Sequence, residues 1–224
     1  MDRYKAVAAI GTSLSLGAGI IMSKVVTDIS KGFVNNYGIM LMAVLITAAL
    51  VFLGAKFVLE ELFRQFLPLR RWVLGKFYIE GTWCERVRRD GVPHGISIVQ
   101  LLPDGYSVVI AGTNYNPKGV SQSSFRGKLM EMNWPTATFH HNNNTTVGPP
   151  DTRPGIGTIT FSDRHPFPNH FSAHYAHVTE GVSYSVNAFR LEDEADLAQI
   201  SSAHDRQAWL LAQWKKFAAS EAPT

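Results

Sequence analysis

The sequence predicts a membrane-anchored all-β protein with two N-terminal transmembrane helices, an eight-stranded antiparallel up-and-down β-barrel and a C-terminal helix. The first supporting observation is the uncharged stretch Tyr37–Ala55, which as a helix would reach roughly 28 Å, about the thickness of a bilayer's hydrocarbon core. The second is a change to alternation of period two at Phe77. The third is a series of turn signals that separates about eight strand-like segments.

Composition narrows the possible functions. The 224 residues suffice for one ordinary domain and an anchor. Because Cys84 is the only cysteine, an intramolecular disulfide and a cysteine-based metal site are both excluded. The net charge of +3 is mild, whereas proteins that bind nucleic acid polymers usually carry a denser basic face. We therefore do not expect a nucleic acid polymer as a partner.

A second uncharged stretch, Ala6–Ser23, precedes the stronger span. It could be a signal peptide, but no clear small-residue cleavage site follows it, and the next residues include charges at Lys24, Asp28 and Lys31. We interpret the two stretches as a helical hairpin that turns near Asn35 and Asn36. This hairpin predicts contact with a lipid bilayer.

A stripe of small residues, Gly11, Ser15 and Gly19, recurs every four residues along the first span. Such stripes allow two helix backbones to approach closely. The close packing could occur within the hairpin or between copies of the chain. Mere tolerance of small residues in lipid explains the pattern equally well.

The distribution of basic residues predicts the orientation of the hairpin. Basic residues flank the spans at Arg3, Lys5, Lys56, Arg64, Arg70, Arg71 and Lys76, whereas the turn holds only Lys24 and Lys31. This excess predicts that both termini and the downstream domain are cytoplasmic. The segment Lys56–Trp72 is expected to continue as an amphipathic helix at the membrane interface, ended by Pro68.

Downstream of Phe77 the pattern predicts strands, and then a helix over Glu194–Ala219. The expected strands are Phe77–Arg88, Gly95–Leu102, Tyr106–Thr113, Phe125–Met132, Thr136–His141, Ile156–Ser162, Phe171–Thr179 and Ser183–Glu192. Short connections favour an up-and-down meander, and eight strands suffice to close a small barrel. The predicted divisions are residues 1–35, 36–76, 77–192 and 193–224. The Asn142–Pro154 loop is a candidate lid because long loops are often functional.

Catalytic and metal-binding motifs are weak in this sequence. Histidines cluster at His165, His170, His174 and His177, with His140 and His141 upstream. On a strand, His170 and His174 would share one face about 13 Å apart, and His177 would face the other way, which suits a single metal poorly. No nucleophile motif or phosphate-binding glycine loop is present. We therefore predict neither an enzyme nor a bound cofactor or metal.

Ligand binding is the better hypothesis, because basic, aromatic and hydroxyl residues recur within the strands. The candidate ligand-binding residues are Arg86, Tyr106, Thr113, Tyr115, Arg126, Lys128, Tyr175 and Arg190. Guanidinium groups bind phosphates in a bidentate manner, and aromatic rings stack on bases. A barrel mouth with these groups suits a small, doubly charged ligand that contains a base. Alternatively, the charged faces point to water and the tyrosines fill the barrel.

Two motifs connect the chain with known proteins. In the first predicted strand, Gly81-Thr82-Trp83 resembles the Gly-x-Trp with which lipocalin-like barrels close their base. Two short spans, a basic juxtamembrane helix, Tyr78-x-x-Gly81-x-Trp83 and a compact β-domain together resemble the SMODS-associated two-transmembrane β-strand-rich effectors of bacterial CBASS anti-phage systems. The resemblance reaches about Glu192 and includes Ser124-Phe125 and the stretch Gly157–Phe161.

The resemblance implies a cytoplasmic lipocalin-like barrel that binds a cyclic di- or oligonucleotide. A partner nucleotidyltransferase would make this messenger during infection. Binding would drive assembly of a homo-oligomer, and the clustered helices would disrupt the inner membrane and stop growth. Two alternatives stay open: a membrane-anchored carrier or sensor of a lipid or other apolar ligand, and a histidine-dependent metal hydrolase.

Overall fold

The computed structural model describes residues 3–30, 37–104, 107–145, 152–162, 167–177 and 182–220. The chain divides into two compact units, Met1–Leu74 and Gly75–Thr224. Several features of the sequence analysis lie outside the described residues: Tyr106, His165, the turn at Asn35 and Asn36, and residues 146–151 of the predicted lid loop.

The first unit is helical. It contains α1 (Arg3–Ser30), α2 (Tyr37–Gln65) and α3 (Leu67–Leu74), with α1 packed against α2. The segments Ala6–Asp28 and Leu41–Gln65 are long and apolar enough to cross a membrane. Large apolar side chains on both helices are exposed, including Ile10, Leu14, Ile20, Leu45, Leu50 and Leu53. This surface agrees with the predicted hairpin.

The small-residue stripe of α1 is buried within this unit. Gly11, Ser15 and Gly19 are all buried, and the Ser15 hydroxyl donates to the Gly11 carbonyl at 2.9 Å. A Cβ added at Gly19 would lie 3.0 Å from the carbonyl oxygen of Ala48 in α2. Of the two predicted roles, the structure therefore gives the stripe a packing role inside the hairpin.

The role predicted for Pro68 is wrong. α2 ends at Gln65, and Pro68 is the second residue of α3. Proline is tolerated in the first turn of a helix, where its missing N–H would have had no partner within the helix. Pro68 therefore belongs to the start of a new helix.

The second unit contains a closed barrel of eight antiparallel strands in chain order, as predicted. The strands are β1 (Gly81–Arg89), β2 (Val92–Asp104), β3 (Ser107–Tyr115), β4 (Ser121–Asn133), β5 (Thr136–Thr145), β6 (Thr152–Phe161), β7 (His170–His177) and β8 (Ser183–Arg190). β8 pairs with β1 and closes the barrel, with Arg190 opposite Trp83. Closure leaves no unpaired sheet edge.

Trp83 fills one end of the barrel. Its indole is fully buried, and its N–H donates to the carbonyl of Ile79 at 3.1 Å. The ring packs against Phe171, with centroids 4.9 Å apart, and the guanidinium of Arg190 lies 5.3 Å from the indole centroid. Gly81 has a φ of +136° and faces the Arg190 guanidinium, so a side chain would be both strained and crowded there. The Gly-x-Trp motif thus closes this end.

The C-terminal region forms two helices where the sequence predicts one. α4 (Glu194–Ser201) and α5 (Ala203–Ala219) are separated by Ser202, whose hydroxyl accepts from the backbone N–H of Asp205 at 3.4 Å. Serine in this position satisfies an unpaired N–H at the start of a helix, which favours a new helix over continuation. These helices cover the outside of the barrel through a cluster formed by Cys84, Ile96, Tyr115, Leu191, Ile200, Trp209 and Leu210.

Candidate functional site: a cavity in the barrel lumen

Alternation along β1 decides which side chains enter the lumen. Because Trp83 points inward, Glu85 and Val87 also point inward, and the odd-numbered residues of β1 share the lumen. Arg86 and Arg88 point outward, where their guanidinium groups lie 5.9 Å and 5.5 Å from the ring centroid of Phe217 in α5.

The lumen contains a cavity of about 120 Å³ at the end away from Trp83. Its lining combines aromatic rings, polar side chains and one carboxyl group. The lining residues are Glu85, Val87, His94, Gly95, Ile96, Ser97, Asn114, Tyr115, Gln122, Ser123, Phe125, His141, Asn143, Tyr175 and Tyr184. A small polar molecule with a flat ring is the ligand that such a lining suits.

Large rings in the cavity lie flat on glycines of the neighbouring strands. Gly112 is opposite Phe125, and a Cβ there would lie 2.5 Å from the Phe125 ring. Gly157 is opposite Tyr175, and a Cβ there would overlap the Tyr175 ring. Because these positions have no side chain, each ring can lie against the barrel wall. The centre of the lumen stays open as a result.

His141 is placed in the same way. Gly155 is opposite His141 on β6, and a Cβ at Gly155 would lie 2.5 Å from its Nε2. The imidazole also meets two aromatic rings nearly edge-on, with centroids 5.9 Å from Phe125 and 5.6 Å from Tyr175. Phe125, His141 and Tyr175 therefore form a continuous aromatic wall, supported by glycines.

A buried polar group forms part of the cavity floor. Glu85 is 1 % exposed, and its carboxylate accepts a hydrogen bond from the Tyr175 hydroxyl at 2.7 Å. Nearby, the Ser97 hydroxyl donates to Asn114 Oδ1 at 2.6 Å, and Asn114 Nδ2 donates to the Ser123 hydroxyl at 2.7 Å. These bonds hold polar side chains of five strands in defined positions.

Burial changes the acidity of the Glu85 carboxyl group. It raises the pKa of Glu85 from its usual value of 4.5 to about 7, although hydrogen bonds from Tyr175 and Ser97 oppose the shift. Burial, followed by the nearby Glu85 carboxylate, raises the pKa of Tyr175 well above its ordinary value. Near neutral pH the Glu85 carboxyl therefore exists in both protonation states, while Tyr175 keeps its proton.

The structure does not bring the predicted ligand-binding residues together. Tyr175 and Tyr115 line the cavity, and Tyr115 also packs in the cluster beneath the C-terminal helices. Thr113 lies on the outer face of β3. Arg126 and Lys128 are exposed on the outer face of β4, because their neighbours Phe125 and Gly127 occupy the lumen face. Tyr106 is outside the described residues.

Arg86 borders an open groove of about 490 Å³ on the outside of the barrel. Arg190 also lines this groove, but its guanidinium lies over the Trp83 indole at the closed end of the lumen. The groove also holds Lys216, but the acidic side chains of Glu192 and Asp196 line it as well. Cations and carboxylates in one open groove offset each other in water. We therefore regard the enclosed lumen as the better candidate site.

Most of the lumen residues are not among the residues predicted from the sequence, although the alternation of side chains along β1 indicates some of them. Trp83 was interpreted as the closing residue of the barrel, and alternation from Trp83 puts Glu85 inside and Arg86 outside. Applying that rule would have rejected Arg86 as a lumen residue. Phe125 and His141 carried no comparable signal, because their place depends on the register of other strands.

Metal binding finds no support in the part of the chain that the structure describes. No three histidine, cysteine or acidic side chains among the described residues could hold a metal ion together. Cys84 is buried beneath the helices, and this burial raises the pKa of its thiol to about 12. A thiol with so high a pKa is unreactive near neutral pH.

No protein-family model and no curated protein matches this chain. Its function must therefore be inferred from the residues that line the lumen and from the two apolar helices.

Proposed function

We propose that this chain is a membrane-anchored sensor whose barrel binds a cyclic di- or oligonucleotide, and that it acts as an effector in anti-phage defence. The supporting observation is the aromatic cavity over a buried polar floor, open at one end and closed by Trp83 at the other. Aromatic walls and precisely placed polar groups are what a nucleobase needs for stacking and hydrogen bonding. The sensor domain would face the cytoplasm, as the basic flanks predict.

The size of the cavity limits how such a ligand binds. An engineered cavity of roughly 150 Å³ is known to hold one benzene ring. At about 120 Å³, the lumen is smaller than that cavity, so it has room for about one six-membered ring but not for a whole cyclic dinucleotide. One base would therefore enter with the edge of its six-membered ring first, and the rest of the base and the sugar–phosphate ring would lie at the open mouth.

Two arginines suit the phosphates of a ligand in that position. Arg89 is opposite Tyr184 and Arg153 is opposite Asn143, so both have lumen-face register positions at the open end. The Arg89 side chain is 48 % exposed and lies 3.8 Å from Asp90 in a surface ion pair. Such an exposed pair is weak enough for a phosphate to compete with it.

Ligand binding would shift an association equilibrium. A ligand favours the assembled state only if it binds that state more tightly. A sugar–phosphate ring exposed at the mouth would neutralise Arg89 and Arg153 and could contact a second barrel. Clustering of the membrane helices would then disrupt the inner membrane and arrest growth.

The lipid-binding alternative has less support. A lipid carrier needs a dry aliphatic lumen, but this cavity has Glu85, Ser97 and Asn114 among its lining residues. Burying an acyl chain against polar groups would cost their hydration without replacing it. The aliphatic side chains that would favour a lipid, such as Val99, Leu101 and Ile159, are instead packed fully at the closed end.

The proposal can be tested by calorimetry on the full-length protein in detergent, with a panel of cyclic di- and trinucleotides. We expect at least one to bind, and Arg153→Glu to weaken it about tenfold or more, since a charge-assisted bond to phosphate is lost. Arg126→Glu is the matched control, because it makes the same charge change on the outer face of β4.

Equal losses of affinity in Arg153→Glu and Arg126→Glu would show that the ligand binds outside the lumen. Absence of binding by every cyclic nucleotide, with binding of a fatty acid instead, would replace the sensor hypothesis by the lipid carrier.

A further inference from the structure

The cavity has an uneven supply of hydrogen-bonding groups. Among the residues that line it in the described structure, Glu85 is the only one with a carboxyl group, and it belongs to the floor. Arginine and lysine are absent from this lining. The deepest part of the site can therefore carry negative charge, and the basic side chains among the described lining residues are the imidazoles of His94 and His141.

An ionised carboxylate is an acceptor only, with about four lone-pair sites on two oxygens. The Tyr175 hydroxyl uses one of these sites. The Ser97 hydroxyl also lies beside the carboxyl group, but it donates its single proton to Asn114 Oδ1. Capacity therefore remains for at least two further donors. A buried carboxylate without enough donors is costly, so a ligand that supplies N–H groups stabilises it.

We infer that Glu85 reads the edge of the bound base, and that the lumen selects a base with two adjacent N–H donors, such as guanine, over bases that present carbonyl oxygens there. This inference rests on the proposed function, because it assigns a base preference to the same cavity. Guanine offers a ring N–H beside an amino group, which matches the two oxygens of a carboxylate. Uracil presents one N–H between two carbonyl oxygens, and the carboxylate would repel the partial negative charge of those oxygens.

The aromatic walls of the cavity leave room for a base whose edge faces Glu85. Phe125 and Tyr175 lie flat on Gly112 and Gly157, so they leave space for a ring whose edge reaches the floor. The Ser97–Asn114–Ser123 hydrogen bonds hold the neighbouring polar groups, which restricts the ways in which a base can turn.

Ligand binding is also expected to change the protonation state of Glu85. The pKa of Glu85 in the empty site is about 7, because burial disfavours the charged form. Two N–H donors favour the charged form, so binding of a guanine edge should release a proton. The affinity for a guanine ligand should therefore increase between about pH 6 and pH 8. The ionisable side chains of His94, His141, Tyr175 and Tyr184 line the same cavity, so the part assigned to Glu85 is the part that a base without contact to Glu85 does not show.

The test compares cyclic di-GMP, cyclic di-inosine monophosphate and cyclic di-UMP by calorimetry on the full-length protein. Inosine keeps the ring N–H of guanine but lacks the amino group. We expect cyclic di-GMP to bind about tenfold more tightly than the inosine analogue, since one charge-assisted hydrogen bond is lost. Glu85→Gln should abolish this preference, and Glu131→Gln, an exposed acid of β4, should preserve it.

The outcomes separate the two ideas. Absence of binding by any cyclic nucleotide overturns the proposed function and this inference with it. Binding without a preference for guanine, or a preference that Glu85→Gln leaves intact, overturns only this inference. The pH dependence of wild-type affinity needs no variant, so an affinity for cyclic di-GMP that is flat from pH 6 to pH 8 overturns it even where Glu85→Gln fails to fold.

Discussion

The two ends of the barrel lumen are built from the same eight strands but are filled differently. At the closed end, Trp83, Phe161 and Phe171 pack against one another, with centroid distances of 4.9 to 6.0 Å. At the open end, Phe125 and Tyr175 each have a glycine opposite on one neighbouring strand, Gly112 and Gly157. On its other side, Tyr175 is opposite Tyr184 of β8.

This difference teaches that cross-strand partners decide whether a small barrel is solid or hollow. A ring with glycine opposite on at least one neighbouring strand can lie along the wall on that side, whereas a ring without such a glycine is directed into the lumen. Tight packing at one end stabilises the barrel, and the hollow at the other end leaves room for a ligand. The three predictions below perturb one end at a time.

The largest effect is expected at the closed end. Trp83→Ala removes a fully buried indole and leaves a cavity, so we expect the barrel to lose about 3–5 kcal/mol of stability. Thermal unfolding followed by tryptophan fluorescence provides the measurement. Trp72→Ala is the matched control, because Trp72 is 81 % exposed. If the Trp83 variant unfolds no more easily than the Trp72 variant, the closed end does not support the barrel as described.

The second effect is a pH dependence at the open end. The pKa of Glu85 is raised from 4.5 to about 7 in the folded protein, so the folded state holds its proton more tightly than the unfolded chain does. The resulting stabilisation is fully present below about pH 4.5 and is lost as the pH rises through 7. It amounts to about 3 kcal/mol over that window.

Unfolding of wild type and Glu85→Gln from pH 4.5 to pH 8 measures this effect, since glutamine cannot ionise. We expect the stability of the variant relative to wild type to increase with pH across this range. Parallel pH profiles for the two proteins would show that Glu85 does not titrate in the folded barrel.

The smallest effect tests the glycine support directly. Gly157→Ala places a methyl group against the Tyr175 ring and pushes the ring into the lumen. We expect the barrel to lose about 1–3 kcal/mol of stability. We also expect the ligand to bind more weakly, because the Tyr175 ring then fills part of the cavity. Gly54→Ala serves as the control, since nothing lies within 4 Å of a Cβ there. Full affinity in the Gly157 variant would mean that the ligand does not use the lumen.

The accuracy of the sequence predictions varied with the kind of signal. The helical hairpin and the barrel were predicted correctly, because an uncharged run of spanning length and period-two alternation are local patterns. The role of Pro68 was wrong, because proline is compatible with both the end of one helix and the first turn of the next. The break at Ser202 was missed because the apolar pattern continues through it.

The candidate site was predicted less well than the fold. Basic residues were selected because they suit phosphates, but Arg86, Arg126 and Lys128 occupy strand positions that face outward. Tyr175 was selected for its ring and does line the cavity. Glu85 is not among the residues predicted from the sequence, although it forms part of the cavity floor.

The sequence by itself determined the number and type of elements, their order and the two sets of residues that share a face along each strand. These properties depend on neighbours a few residues apart, so they can be read locally. Only the tertiary structure decided which face lies inside and which residues meet there. Closure of the barrel and the register of its strands bring Glu85 to Tyr175 and Gly157 to the same ring. Such pairings between distant residues have no local signature, because every strand can slide or turn over until all eight are closed together.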